Sequence, residues 1–112
     1  MLTFKLENDA HPNFADLSAD TQARIILWID RSIRPKDAPC WDFSHVFLND
    51  RLEDETGISI PYDAFKEAMF HCGYYPADPQ STHWHYRIST QSPVFKRAYT
   101  HKAYSEYRQR VF

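Results

Sequence analysis

Apolar residues recur at helical spacing in three stretches of the chain. The clearest stripe has the spacing i, i+3, i+4, i+7 and consists of Phe65, Ala68, Met69 and Cys72. Such spacing places the four side chains on one face of a helix, which predicts an amphipathic helix with a buried side. Pro61 suits the first turn of this helix, and Gly73 suits its end because glycine takes the left-handed backbone conformation without steric cost.

Two further helices are predicted upstream. Ser18 is a suitable N-cap for a helix that runs to about Ile33 and stops before Pro35, since the residue before a proline disfavours helical backbone. Ser44 is a suitable N-cap for the next helix, and Gly57 suits its end. Both segments are apolar on one side and polar on the other, so we expect both to pack on a shared core.

Alternating residues downstream predict a β-hairpin. Trp84, Tyr86 and Ile88 alternate with polar residues, which is typical of a half-buried strand. The pair Tyr74–Tyr75 begins a partner strand, and the turn-rich residues 77–82 connect the two strands.

The order of these elements predicts an α+β fold. A helix, a short turn, a second helix and a hairpin are typical of a winged helix-turn-helix. We therefore predict a single winged helix-turn-helix-like domain over residues 1–112, with a three-helix core and the β-hairpin in residues 16–89. A basic C-terminal helix is predicted in residues 93–110, and very short strands are expected at Leu2–Leu6 and Ile58–Ile60.

The same region carries a longer motif of S-x-x-F, E-x-x-T-G-I, F-K-x-A-M-x-x-x-G-Y-x-P-x-D and W-x-Y-x-I-S-x-x-S-P-x-F-K. Its residues are Ser44, Phe47, Glu53, Thr56, Gly57, Ile58, Phe65, Lys66, Ala68, Met69, Gly73, Tyr74, Pro76, Asp78, Trp84, Tyr86, Ile88, Ser89, Ser92, Pro93, Phe95 and Lys96. The motif resembles small uncharacterised proteins of bacteriophages and integrative elements, mostly Gram-positive, and it covers about half of the chain. The resemblance implies a winged-helix-like fold and a mobile-element origin, and it carries no catalytic residues.

No catalytic motif occurs in the chain. Both glycines follow predicted helices, which leaves no glycine-rich phosphate loop, and the patterns G-x-S-x-G, H-E-x-x-H and C-x-x-C are absent. Four residues of metal-ligand type are predicted near one another, namely His71, Cys72, His83 and His85. Zinc needs four convergent ligands, whereas the adjacent His71 and Cys72 diverge on a helix. We therefore expect a non-enzymatic protein with no cofactor and no metal.

The chain shows no sign of secretion or membrane insertion. It has neither an apolar leader nor an apolar run long enough to span a bilayer. Its two cysteines, Cys40 and Cys72, are expected to be reduced. These features predict a cytoplasmic location without membrane contact.

Charge is divided unevenly, although the net charge is only −2. Residues 1–60 hold six cations and eleven acids, whereas residues 61–112 hold seven cations and four acids. One half of the molecule can therefore face a polyanion while the other half faces a cationic partner. Aromatic residues make up 16% of the chain, and seven of them are tyrosines. This content favours an interaction surface, although a tyrosine-rich core with solvated hydroxyls explains it more simply.

The first functional hypothesis is a DNA-binding regulator of a mobile element, acting through the wing and the basic C-terminal helix as a monomer or a homodimer. The candidate contacts are Tyr62, Lys66, Arg87, Lys96, Arg97 and Lys102. The isoelectric point of about 6.3 argues mildly against nucleic acid. A basic helix that pairs with the acidic half of the same molecule, or of a dimer mate, explains the cations equally well.

The second hypothesis is a protein-binding inhibitor of a host nucleic-acid enzyme, similar in role to an anti-CRISPR protein. Its candidate contacts are the acids Asp50, Glu53, Asp54, Glu55, Asp63 and Glu67. These acids would mimic phosphates and bind a basic host protein such as a CRISPR nuclease. The two hypotheses predict different effects of mutation. Replacing Lys96 and Arg97 with alanine should abolish DNA-binding activity, whereas replacing Glu53 and Glu55 with lysine should abolish inhibition of a host enzyme.

Overall fold

The computed structural model describes residues 13–97, which are mostly helical. A short 3-10 helix, Phe14–Asp16, precedes four α-helices, which are α1 (Ala19–Ser32), α2 (His45–Thr56), α3 (Tyr62–His71) and α4 (Pro93–Lys96). None of these helices has the length and apolar character needed to cross a membrane.

The ends of the first three helices follow local sequence signals. The Ser18 hydroxyl accepts a hydrogen bond from the Thr21 N–H at 3.1 Å, and the Ser44 hydroxyl accepts one from the Val46 N–H at 3.2 Å. Each bond satisfies a backbone donor that the first helical turn leaves unpaired. The predicted glycine ends are also confirmed, because Gly57 has φ +79° and Gly73 has φ +91°.

Helices α1, α2 and α3 pack around one apolar core. The core receives Ile25 and Ile29 from α1, Leu48 and Leu52 from α2, and Phe65 from α3, all of them buried. Phe14 and Val94 extend the core towards both ends of the described region. The amphipathic patterns predicted for the three helices therefore face a common interior, as burial of apolar area requires.

The winged-helix prediction is wrong, because the structure contains no β-strand and no sheet within residues 13–97. The segments expected to form the wing meet only at an isolated antiparallel bridge between Pro76 and Tyr86. A second isolated bridge joins Pro35 to Ile88. The segment containing Trp84, Tyr86 and Ile88 is thus shared between two different neighbours and does not extend into a hairpin with either.

Hydrogen bonds to other partners explain why the bridge at Pro35 does not grow into a strand. Pro35 and Pro76 are bridging residues whose nitrogens face away from the partner segment, so proline is tolerated there. The next donor along the chain, the Arg34 N–H, bonds to the Ser92 hydroxyl at 2.9 Å and not to the Ser89 carbonyl. Backbone N–H groups of this region instead bond individually, for example Ala77 N–H to the His85 carbonyl at 2.7 Å and Cys40 N–H to the Tyr86 carbonyl at 2.9 Å. The alternation of apolar residues therefore reflects the burial of Tyr86 and Ile88 and not the presence of a strand.

Two other element predictions also require correction. The expected strand at Ile58–Ile60 is irregular backbone. The helix predicted for residues 93–110 stops at Lys96, since Arg97 has extended backbone with φ −67° and ψ 144°. The Arg97 guanidinium bonds to side chains of α1 and α2, and this tertiary anchor outweighs the weak helical preference of a short segment. The strand predicted at Leu2–Leu6 and residues 98–110 of the predicted helix lie outside the described range.

Replacing Tyr86 with phenylalanine should leave stability unchanged or raise it by about 1 kcal/mol, because its hydroxyl is buried without a hydrogen-bond partner among the described residues. The same burial raises the pKa of the phenol. Urea denaturation would measure this change. Tyr74→Phe is the matched control and should lose about 0.5–1.5 kcal/mol, because the Tyr74 hydroxyl donates to the Ile33 carbonyl at 3.3 Å. A clear loss of stability in Tyr86→Phe would contradict the assignment.

Candidate functional site

An open groove of about 690 Å³ runs along the solvent side of α3. Its lining residues, which define the α3 groove, are Asn13, Asp63, Lys66, Glu67, Phe70, Tyr75, Pro76, Pro79 and Trp84. The four lining residues that belong to α3 recur at i, i+3, i+4, i+7, so they form one helical face. This face is distinct from the buried stripe that contains Phe65, Ala68 and Met69, which leaves it available to a partner.

Two aromatic rings stand in the groove with more than half of their surface exposed. Phe70 is 60% exposed and Tyr75 is 55% exposed. The rings contact each other edge to face, with centroids 4.9 Å apart and planes at 83°. This arrangement keeps both rings near the surface with a defined geometry, and clustered exposed apolar groups mark interaction sites more often than scattered ones.

Trp84 forms the wall opposite α3 and holds the lysine of the groove. The Lys66 ammonium lies 4.5 Å from the centroid of the Trp84 ring, within the range of a cation–π contact. Lys66 also lies 4.0 Å from the Asp63 carboxylate. The Lys66 side chain is only 21% exposed, whereas the Asp63 side chain is 88% exposed. The groove therefore presents the carboxylate to solvent more openly than the ammonium.

A buried histidine fixes the position of Trp84. The backbone N–H of Trp84 donates to His45 Nδ1 at 3.1 Å, and the backbone N–H of His45 donates to the Trp84 carbonyl at 2.8 Å. The His45 ring also meets the Tyr62 ring edge to face at 5.3 Å. Burial lowers the pKa of His45 to about 4, and nearby Lys66 adds to the effect. His45 is therefore neutral near pH 7, which keeps Nδ1 available as an acceptor.

The acids predicted on the helix-turn-helix face fall into different environments. Asp50 and Glu53 on α2 and Asp63 on α3 belong to exposed residues. The pKa of Tyr62 is raised by burial and then by Asp50, which interacts electrostatically and accepts a hydrogen bond from the phenol. Glu67 is also exposed, although one of its oxygens accepts a hydrogen bond from the backbone N–H of Phe14 at 2.8 Å. Asp63 and Glu67 line the α3 groove, whereas Asp50 and Glu53 lie on helix α2 near Tyr62.

The remaining predicted acids are bound to cations inside the molecule. Their cluster, here called the Glu55 network, consists of Trp28, Ser32, Arg51, Asp54, Glu55 and Arg97. Glu55 accepts from Trp28 Nε1 at 2.8 Å, from Arg51 Nη2 at 2.6 Å and from Arg97 Nε at 3.0 Å. Arg51 also pairs with Asp54.

The Glu55 network joins two residues that the sequence assigned to opposing functions. Arg97 was a candidate for DNA and Glu55 a candidate for a basic protein, yet they form an ion pair with a closest distance of 2.8 Å. Arg97 Nη2 also donates to the Ser32 hydroxyl at 2.6 Å. Part of the uneven charge distribution along the chain is therefore neutralised within the molecule, because an acid of the N-terminal half pairs with a cation of the C-terminal half.

The other predicted DNA contacts do not share one surface element. Tyr62 and Lys66 lie on α3, and Lys66 is held by Trp84. Arg87 is exposed and donates to the Asp37 carbonyl at 3.1 Å. Lys96 is exposed at the end of α4, and Lys102 lies outside the described range.

Sequence reasoning did not identify Tyr75, Trp84 and His45 as residues of a site. Tyr75 and Trp84 were assigned to strand faces, where exposure is expected at alternate positions. The signal that could have found the groove is the second stripe on α3, because Phe70 lies outside the buried stripe and completes the face that begins at Asp63.

The described part of the chain contains no group of three or more His, Cys, Asp and Glu side chains arranged to hold a metal ion. Cys40 is buried, Cys72 is half-buried, and both are free thiols. Comparisons of the chain with protein-family models, with curated proteins and with solved structures found no match. The geometry of the α3 groove is therefore the observation on which a functional assignment depends.

Proposed function

We propose that the protein is a non-enzymatic binding module whose α3 groove captures a cationic, partly apolar segment of another protein. The observation that carries this proposal is the pair of exposed rings of Phe70 and Tyr75 beside the solvent-facing carboxylate of Asp63. A groove with aromatic walls and an acidic rim offers both apolar area and charge to such a segment.

The aromatic residues supply the affinity in this proposal. Phe70, Tyr75 and Trp84 contribute large rings to one groove, and Pro76 and Pro79 add apolar surface without flexible side chains. Aromatic anchors dominate the binding energy of many protein interfaces, because they bury much area at a small cost in side-chain entropy. A partner side chain inserted between Phe70 and Tyr75 would remove both rings from water.

The charges supply the preference for a cationic partner. Asp63 and Glu67 line the groove, and Asp50 and Glu53 lie on the neighbouring helix α2. Lys66, the single lysine among the described lining residues, is already engaged with the Trp84 ring and with Asp63. An arginine or lysine of the partner would meet exposed carboxylates and the faces of aromatic rings, and both attract cations.

This proposal retains the inhibitor hypothesis in a narrower form. Asp50, Glu53, Asp63 and Glu67 remain candidates for contact with a basic channel of a host nucleic-acid enzyme. A mobile-element origin and a cytoplasmic location belong to the same proposal. Asp54 and Glu55 are bound within the Glu55 network, so we do not include them in the contact surface. DNA binding has less support, because the expected wing is missing from residues 13–97 and Arg97 is paired.

A selection from a random peptide display library on the immobilised protein would test the proposal. We expect enriched peptides to contain arginine or lysine together with at least one large apolar residue. Phe70→Ser combined with Tyr75→Ser should weaken their binding by about thirtyfold or more, the effect of losing a hot spot of about 2 kcal/mol.

Trp41→Ser is the matched control, because Trp41 is 63% exposed and does not line the groove. This variant should bind the selected peptides as tightly as the unmodified protein. Enrichment of acidic peptides, or equal binding by the groove variant, would contradict the proposal. Salt-sensitive binding of duplex DNA without any enriched peptide would favour the DNA hypothesis instead.

A further inference from the structure

A second pocket, of about 450 Å³, lies on the other side of the ridge that Tyr75 and Pro76 form. These two residues line both the α3 groove and this pocket, so the two cavities adjoin. Its charged lining residues are Lys36 and Arg87. We call this cavity the Lys36–Arg87 pocket.

The backbone forces these two cations together. Pro35 and Ile88 form an antiparallel bridge, which makes Lys36 and Arg87 the next opposed pair. The Lys36 N–H accordingly donates to the Arg87 carbonyl at 3.0 Å. Like charges directly opposite each other destabilise paired backbone segments, so this arrangement brings no stability of its own.

Other groups around the pocket position the cations more than they neutralise them. The Arg87 guanidinium donates to the Asp37 backbone carbonyl at 3.1 Å, which orders the side chain and leaves its charge in place. Among titratable neighbours, Cys72 and Tyr74 line the pocket, and burial raises the pKa of both, so both are uncharged near pH 7. Asp30 acts on these two groups from outside the lining, and Arg34 opposes it at Tyr74.

We infer that the Lys36–Arg87 pocket binds a phosphate monoester, carried by the protein segment that occupies the adjoining α3 groove, and this second part rests on the proposed function. A phosphate monoester has three acceptor oxygens and up to two negative charges, enough for an arginine fork and an ammonium at once, whereas a carboxylate has two oxygens and one charge. A segment crossing Tyr75 and Pro76 would place its cationic part in the groove and its phosphate in the pocket.

A phosphorylated protein segment fits this surface better than a nucleic acid does. A nucleic acid strand that placed one phosphate in the pocket would bring further phosphates towards Asp63 and Glu67 in the adjoining groove. Those carboxylates repel a uniformly anionic backbone, while a peptide can alternate the sign of its charge along its length.

The direct test is a titration of the ¹⁵N-labelled protein with inorganic phosphate at constant ionic strength, in which NMR records the amide chemical shifts. We expect saturable shifts of the amides of Lys36, Gly73 and Arg87, and no comparable shift with acetate. Lys36→Gln combined with Arg87→Gln should weaken phosphate binding by about tenfold or more. The matched control is Arg31→Gln combined with Lys96→Gln, which removes two exposed cations that do not line the pocket and should leave the titration unchanged.

The second arm compares a groove-selected peptide with its phosphoserine counterpart. Tighter binding of the phosphopeptide, lost in the Lys36/Arg87 variant and kept in the control, would support the full inference. Three results would overturn it: no saturable phosphate shift, equal shifts with acetate, or displacement of phosphate by duplex DNA at lower concentration than by the phosphopeptide. The phosphate titration does not depend on any peptide, so it separates failure of this pocket from failure of the α3 groove. A thermal unfolding curve for each variant shows whether the cations instead stabilise the nearby end of α3.

Discussion

Replacing Glu55 with alanine should destabilise the protein by about 3–5 kcal/mol, the range for removing one partner of a buried ion pair. Glu55 has a side chain only 16% exposed and accepts hydrogen bonds from Trp28, Arg51 and Arg97. The Arg51 side chain is 5% exposed, so its guanidinium would lose a major counter-charge in a region from which water is largely excluded. Trp28 Nε1 would lose its acceptor at the same time.

Chemical denaturation of purified variants would measure this loss. Glu55→Gln should fall between alanine and the unmodified protein, because the amide keeps an acceptor oxygen for Trp28 but removes the charge that pairs with Arg51. Glu53→Ala is the matched control on the same helix, and we expect a change within about 0.5 kcal/mol because Glu53 is exposed. A loss of less than 1 kcal/mol in Glu55→Ala would show that the network contributes little to folding.

The Glu55 network also changes how functional mutations must be chosen. Removing Arg97 or reversing Glu55 would damage the ion pair that links α4 to α2, so loss of activity in either variant would report on folding as well as on binding. Glu53→Lys combined with Asp63→Lys tests the acidic surface without this complication, because both residues are exposed. Lys96→Ala alone tests the basic end of α4 in the same way.

Lowering the pH from 6.5 to about 4 should remove up to about 3 kcal/mol of stability through His45. The unfolded chain binds a proton at this residue below its ordinary pKa of 6.5, whereas the folded protein resists protonation until about pH 4. The stabilising effect of the neutral ring is therefore complete above pH 6.5 and is lost as the pH falls through this interval. Protonation would also remove the acceptor that holds the Trp84 N–H, so the wall of the α3 groove should loosen in the same range.

The groups that surround His45 support this direction. Burial is the main cause of the lowered pKa, and Lys66, His83 and His85 add repulsion of a positive ring, while Asp63 partly opposes them. Urea denaturation at several pH values should show the loss in the unmodified protein.

His45→Asn should show much less of this pH dependence, because an asparagine oxygen can accept from the Trp84 N–H without titrating. The control is His83→Asn combined with His85→Asn, which should retain most of the dependence on His45. An equally steep dependence in His45→Asn would assign the acid sensitivity to other groups.

Local sequence signals predicted the first three α-helices well but the fourth helix and the candidate site poorly. Ser18, Ser44, Gly57 and Gly73 act within a few residues of themselves, so their effect on helix ends can be predicted without knowing the fold. The positions of charged residues along the chain did not predict which of them are on the surface. Glu55 and Arg97 lie 42 residues apart and form their ion pair only when α4 folds against α2. The alternation at Trp84, Tyr86 and Ile88 correctly indicated that Tyr86 and Ile88 are buried, but the β-strand that it predicted does not form.

The sequence alone determined where three helices begin and end and which faces they bury, because capping bonds, glycine conformations and apolar periodicity are properties of neighbouring residues. Only the tertiary structure decided that Tyr86 and Ile88 would be shared between two isolated bridges, that Glu55 would neutralise Arg97, and that Lys36 would oppose Arg87. Each of these outcomes joins residues distant in the chain. Their energies depend on burial and on the exclusion of water, and neither property exists before the helices pack.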